Sequence, residues 1–447
     1  MHVRLSSGSL ILMALCLAGC GSDDSDSKGG PSGTGGSGTG GSGTGGSGTG
    51  GSGTGGGGTG GSGTGGSATG GNGGGGAQQI GADDIQYLGS FEVPGKDSTT
   101  GDESSLTYGG NALGYNPIND SLYYGGHDWY QTLAEVSIPS NFSQTATVLQ
   151  DLADVTDGKL GQVDEGNIKL AGTLVYDGKL IVAASAYYDA DANQQKSHFS
   201  SGLDLSAAND AQGPFAVSGE ANTRSKAGYM TPIPSGWQSA FAGPALTGNC
   251  CQSIISASSA GPAATVFDPA TVGSADPIAG TTVLFYELDN PTTGAGTDEN
   301  GIYKQSDTIV GIAFPEGSSS VLFIGRHGKG EYCYGPGTDD QSLHGTPDGE
   351  GNVWCYDPAG SSKGTHAYPY VHQIWAYEAA DLVEVKEGTR EPWDVTPYAI
   401  FELTDMDSGG GASAVGAAFD PASGRWFFTE AYGDNPRVHV YQIGPTN

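Results

Sequence analysis

Apolar residues along this chain come in short runs, spaced by turn-forming residues rather than by helical periods. The clearest example lies between Gly416 and Ile443. Residues 417–419 are apolar, Asp420-Pro421-Ala422-Ser423-Gly424 is turn chemistry, and Trp426-Phe427-Phe428 reads as a buried strand. Asp434-Asn435-Pro436 turns the chain again, and residues 438–443 alternate. Beyond residue 79 no uninterrupted amphipathic helical pattern of about 12 residues occurs. Gly, Pro, Asn and Asp break every apolar run, which predicts an all-β domain over residues 79–447.

The strand–turn–strand unit recurs. One copy runs from Asn111-Ala112-Leu113-Gly114-Tyr115 into Leu122-Tyr123-Tyr124, and a second from Gly172-Thr173-Leu174-Val175-Tyr176 into Leu180-Ile181-Val182. A third runs from Gly311-Ile312-Ala313-Phe314 into Val321-Leu322-Phe323-Ile324, and a fainter one starts at Gly261. Asn111 to Gly172 is 61 residues, Gly261 to Gly311 is 50, and Gly311 to Gly416 is 105, close to two units. Blades of four strands take roughly 40–50 residues each. The expected architecture is therefore a β-propeller of six or seven blades, with five also compatible and a two-sheet β-sandwich as the alternative. Residues 85–93 are expected to supply the outer strand of the last blade and so join the ends of the ring.

The chain begins differently. Residues 1–19 carry Arg4, then an apolar run from Leu10 to Leu17, then small residues, the pattern of a signal peptide. Leu17-Ala18-Gly19-Cys20 resembles a bacterial lipobox. That resemblance implies cleavage before Cys20, a diacylglyceryl group on its sulfur and, with Gly21 following, export to the outer membrane. Residues 20–78 are then the lipidated cysteine and a linker in which Ser-Gly-Thr-Gly-Gly repeats. Such chain has few side chains to bury and behaves as a flexible tether with a reach of about 40 Å. The formal charge of −32 becomes one unit more negative once Arg4 leaves with the signal peptide. No basic stripe offsets it, so nucleic acid is a poor partner and polyanionic glycans are disfavoured.

In the aligned units the second strands all finish at one end of the ring. His127, His327 and Tyr432 follow them at matching offsets, Tyr187 less regularly, with Asp128, Trp129, Arg326 and Glu430 beside them. Rings of this kind stack on sugars and bond hydroxyls; equally, such residues cap strands and fill loops. Apart from Cys20, the mature chain holds Cys250, Cys251, Cys333 and Cys355. In an oxidising compartment they pair, and Cys333–Cys355 with Cys250–Cys251 is favoured over cross-pairing between the two sets. The adjacent pair resembles the vicinal disulfide of quinone-dependent alcohol dehydrogenases, which implies a quinone; the tryptophan-docking repeat of those enzymes is missing. Asp189, Asp191 and Asn193 have the first three spacings of a calcium loop, compatible with a loose Ca2+ site, although Gln194 and Ser200 break the rest of the pattern. Residues 360–364 fit G-x-S-x-G without the strand and helix that a nucleophile elbow needs.

The expected function is an envelope-anchored lipoprotein that binds an extracellular ligand, a neutral glycan or a surface partner. The alternatives are a glycan hydrolase or lyase on the same fold, with His127, His327, Arg326 and Glu430 as its acid–base candidates, and a protein-interaction scaffold.

Overall fold

A computed structural model describes residues 77–95, 101, 104–189, 191–207, 210–249, 259–287, 302–406, 414–430 and 436–444. Strand β1 (Ile85–Glu92) comes first in sequence but joins the last sheet. Sheet one is β2 (Gly114–Asn116), β3 (Ser121–Gly125), β4 (Leu133–Ser137) and β5 (Val148–Ala153). Sheet two is β6 (Ile168–Tyr176), β7 (Lys179–Ala186), β8 (His198–Ser201) and β9 (Gln212–Phe215). Sheet three is β10 (Met230–Pro232), β11 (Ala245–Thr247), β12 (Ala264–Phe267) and β13 (Gly280–Leu284), with helix α1 (Ser235–Phe241) between its first two strands. Sheet four starts with β14 (Thr308–Ala313) and β15 (Ser320–Gly328). A three-stranded sheet of β16 (Cys333–Thr338), β17 (Cys355–Tyr356) and β18 (Lys363–His366) is inserted there, before β19 (Tyr370–Glu378), helix α2 (Ala379–Lys386) and β20 (Ala399–Leu403). Sheet five is β21 (Ala414–Asp420), β22 (Arg425–Glu430) and β23 (Arg437–Ile443), and β1 lies on its outer edge.

Every four-stranded sheet is an antiparallel meander, and local chemistry sets its turns. Between β6 and β7, Asp177 and Gly178 both take positive φ, the two-residue hairpin turn whose twist matches the strands. Between β21 and β22, Asp420 accepts the N–H groups of Ala422 and Ser423 and fixes the reversal. At the closing edge β1 pairs antiparallel with β23 from Ile85↔Ile443 to Glu92↔Arg437, as expected for residues 85–93.

Packing puts the sheets in a cycle. Leu180 and Val182 of β7 pack with Tyr123 and Leu133 of sheet one, whereas Ile181 and Ala183 pack with Met230, Ala245 and Phe267 of sheet three. Side chains alternate along a strand, so an unbroken apolar run serves two neighbours at once. Phe323, Trp375 and Tyr377 of sheet four meet Tyr229 and Leu246 of sheet three, and Ile324 and Ile374 meet Trp426 and Phe428 of sheet five. Phe427 and Val440 of sheet five meet Leu122 and Tyr124 of sheet one, which completes the circuit. Both faces of each sheet are covered, whereas a two-sheet sandwich leaves one face of each in solvent.

First strands approach each other closely at the centre. A β-carbon on Gly114 would fall 2.1 Å from Thr173 Oγ1, one on Gly172 2.2 Å from Gly228 O, and one on Gly311 2.2 Å from Ala417 Cβ. At Gly172, Gly311 and Gly416 the repeated glycine that aligned the units is thus a contact residue, and in β6, β14 and β21 a register shift falls at it; in the first unit Asn111 holds that position. Bonds between neighbouring sheets join like ends: Lys169 near the start of β6 meets Asp128 after the finish of β3, and Ala414 at the start of β21 meets His372, the register partner of Arg326 near the finish of β15. One end of the cycle, here the upper end, therefore holds the starts of the first strands and the finishes of the second.

Two expectations about the repeats change. Among the described residues there are five four-stranded sheets and not six or seven, because the 105 residues from Gly311 to Gly416 hold one meander plus the inserted sheet. The fainter copy at Gly261 precedes a third strand, β12, and does not start a sheet.

Candidate functional site

At the upper end of sheet one the chain leaves β3 through Gly126 into His127, Asp128, Trp129 and Tyr130. His127 is buried, 7% exposed, and accepts the Trp129 N–H on Nδ1 at 3.2 Å. Three aromatic rings surround it, with centroids 5.4 Å (Tyr108), 5.3 Å (Trp129) and 5.5 Å (Tyr130) from its own. All three rings face solvent, Trp129 at 72%, Tyr130 at 42% and Tyr108 at 37% exposure. Large exposed rings around one buried pivot make an apolar platform edged by polar atoms.

Those polar atoms come from the loops of sheet one and from the start of β6 in sheet two. Asp128 takes a 2.9 Å hydrogen bond from Asn111 Nδ2 and is ion-paired to Lys169, which also donates to the Asp128 carbonyl at 2.9 Å. Gln131 accepts the Leu170 N–H at 2.6 Å. Lys169 lies 5.9 Å from the centre of the Tyr187 ring, so Tyr187 borders the same group. The loop that sequence reading singled out is therefore latched to the next sheet by one lysine and one glutamine.

The remaining candidates divide between the faces of sheets four and five. Arg326 donates to Ser306 O at 3.1 Å and covers Tyr370, 4.2 Å from the ring centre. His327, the next residue, points to the opposite face, with Nδ1 2.8 Å from Asp307 Oδ2 and its ring 6.4 Å from Trp375. Glu430 accepts from His439 at 3.1 Å. His327 thus belongs to the side of sheet four that meets sheet three, and Arg326 to the side that meets sheet five. Tyr432 lies outside the described residues, as do Cys20, Cys250 and Cys251.

Asp189 spends its carboxylate on the loop backbone, accepting the N–H groups of Asn193 at 2.7 Å and Gln194 at 3.0 Å. Among the described residues no group of three His, Cys, Asp or Glu side chains could hold a metal ion. The Cys333–Cys355 disulfide is present, with Cα atoms 5.6 Å apart, and ties β16 to β17. The G-x-S-x-G stretch leads into β18 rather than a helix.

Sequence reading missed three residues beside this end: His372, His439 and Tyr87. Tyr87 Oη is 3.0 Å from His439 Nδ1 and extends the Glu430–His439 pair across the closing strand. His372 is buried and takes the Ala414 N–H on Nε2 at 3.1 Å. Each histidine sits between apolar or neutral neighbours on an alternating strand, and that alternation was the available signal.

No protein-family model matches the chain, and no curated protein matches it. Similar solved structures include a candidate glycoside hydrolase from Parabacteroides distasonis, with TM-score 0.38, 11% identity, and 83% of this chain and 97% of that one covered. Another comes from work on the GH130 family of mannoside phosphorylases, which contains glycoside hydrolases that target β-1,2 mannosidic linkages in Candida mannan. It has TM-score 0.39, 10% identity, and 76% and 87% coverage. A third is Kuenenia stuttgartiensis hydrazine synthase, with TM-score 0.32, 11% identity, and 75% and 80% coverage. At these scores none of them bears on what this chain does.

Proposed function

We propose that this chain is a lipid-anchored, five-bladed β-propeller whose upper end binds a neutral extracellular glycan. The observation that carries the reading is the platform of Tyr108, Trp129 and Tyr130 around buried His127, with Asn111, Asp128 and Lys169 beside it. Aromatic faces shed little-hydrated sugar faces from water, and the adjoining polar groups can take the hydroxyls. The acidic surface works against a polyanion and leaves a neutral polymer unaffected.

The anchor reading fits where the chain enters the ring. Gln78 pairs with Ser318, and Ile80 N–H donates to Ser320 Oγ at 2.9 Å. Both partners lie at the turn between β14 and β15, at the lower end. The described chain thus enters the ring at the end opposite the aromatic platform.

A neutral-glycan array probed with the chain, followed by titration of the best ligand, tests the function. Trp129→Ala is expected to weaken binding about tenfold or more, as for other central aromatic anchors. Unchanged affinity in that variant, or no retained glycan, removes the platform as the site. Incorporation of labelled palmitate that survives Cys20→Ser removes the anchor.

A further inference from the structure

Sheets four and five meet along a seam that is apolar over most of its length and polar at its upper end. Ile324 and Ile374 face Trp426, Phe428 and Tyr441 across it. Two residues further up the same faces stand Arg326 and His372 on sheet four, which are register partners, and Glu430 and His439 on sheet five.

The partners of these four groups define what they still offer. His439 Nε2–H donates to Glu430 Oε2 at 3.1 Å and Nδ1 accepts from Tyr87 at 3.0 Å, so both ring nitrogens have partners. That hydrogen bond is the main reason the Glu430 carboxyl stays below its ordinary value, against the opposing effect of burial. Glu430 is thus a fixed anion at neutral pH and a poor proton donor. Its side chain is 34% exposed, and Oε1 has no partner among the described residues.

His372 uses Nε2 as the acceptor for Ala414, which leaves its single proton on Nδ1. Burial, and then the neighbouring His439, push its pKa down to about 4, so the ring is neutral. The Nδ1 atom is buried and unpartnered, and so is Nε of Arg326. Two buried donors without acceptors carry their full desolvation cost until something accepts from them.

We propose that the upper end of this seam is a second sugar subsite. In it Glu430 Oε1 accepts from one ligand hydroxyl, while Arg326 Nε–H and His372 Nδ1–H donate to the oxygen of its neighbour. The mixture of groups selects the class. A free anion meets Glu430 and a cation meets Arg326, whereas a neutral polyol both gives and accepts and so suits the mixture. The assignment takes its ligand class from the glycan reading but stands on different residues. The two sites flank one hydrogen bond, from Thr429 Oγ1 to Gly110 O at 2.9 Å; Glu430 follows the donor and Tyr108 lies two residues before the acceptor.

The test uses the full chain with the methyl α-glycosides of glucose, galactose and mannose and with a neutral oligosaccharide retained on the array. Calorimetric titration is run on wild type, Glu430→Gln, Arg326→Lys and Trp129→Ala. The Nδ1 resonance of His372 is followed in 15N-histidine-labelled wild type, which stays informative if a variant fails to fold. The subsite requires a shift of that resonance on saturation and about tenfold or greater loss of affinity in Glu430→Gln and Arg326→Lys. Retained affinity in both, with a static His372 signal and a loss only in Trp129→Ala, overturns the subsite and leaves the platform standing. Loss in the seam variants with none in Trp129→Ala keeps the subsite and overturns the platform. Reducing ends that appear with wild type and vanish with Glu430→Gln replace simple binding by hydrolysis. No binding of any probe overturns the proposal.

Discussion

Gly416 of β21 lies so close to Gly110 that a β-carbon on it would fall 2.1 Å from the Gly110 carbonyl oxygen. The contact joins sheet five to the segment that leads into sheet one, and the obstacle is backbone, which cannot rotate away. Gly416→Ala is expected to cost about 1–3 kcal/mol, the usual penalty for overpacking. Gly236 in α1 has nothing within 4 Å of its β-carbon position. Gly236→Ala is expected to be neutral or to stabilise by up to about 1 kcal/mol. Urea unfolding of the two variants checks the contrast.

Acid should weaken the fold in two stages. His198, in full burial and near Lys226, is held down at about 3, and His372 at about 4, against an ordinary value of 6.5. Both are depressed, so the stability they contribute is complete above pH 6.5 and is lost as pH falls towards their folded values. The slope is up to about 1.4 kcal/mol per pH unit for each. The carboxyls of Glu135 and Asp357 follow. Burial raises them, but four side-chain donors on Glu135, and His366 with Tyr370 on Asp357, outweigh it and hold both below their ordinary values. Their contribution is lost only below about pH 4. Unfolding free energies between pH 7 and pH 4.5 should therefore decline, and His198→Gln should flatten that decline whatever it does to stability at pH 7.

Much of this architecture is legible in residue order. The runs Leu180-Ile181-Val182 and Trp426-Phe427-Phe428 are unbroken because both faces of their strands are covered. The closing strand was visible as residues 85–93, with no other place to pair. Sheet three was not visible. Its first two strands have three residues each and α1 separates them, so no hairpin pattern survives in the sequence. Spacing misled at sheet four, where the inserted strands occupy the length of another unit.

The Cys333–Cys355 bridge closes a separation of 22 residues. In the chain-entropy view it contributes about 3 kcal/mol to holding the inserted sheet. Replacing both cysteines by serine is expected to open that insertion to proteolysis within residues 339–352 while the five meanders stay resistant. Mapping the first cleavage sites by mass spectrometry decides it. First cuts inside β21 or β22 count against a local role.

Deleting the chain through Glu92 removes β1 and bares the edge of β23. The shortened protein is expected to melt at lower temperature and to self-associate, since an unpaired edge is a template for another strand. Size-exclusion chromatography with a thermal melt reads both. A monomer of unchanged melting temperature contradicts the closing role of β1.

The candidate sites were half legible. Trp129 stood out as an aromatic in a polar loop after a strand. His372 and His439 did not, because a buried histidine at an alternating position looks the same whether a neighbour satisfies it or, as at His372 Nδ1, nothing does. Only the pairing of strands tells these cases apart. Residue spacing also could not show that Arg326 and His327, adjacent in the chain, serve opposite faces of one sheet.

The antiparallel run from Ile85↔Ile443 to Glu92↔Arg437 has a mechanical meaning. A pull on the leading segment, resisted by something held at the aromatic end, acts along β1. The backbone bonds to β23 lie across that direction. They are loaded together, in shear, and none can be peeled ahead of the rest, so the ring should bear more force through this end than through a strand tugged sideways.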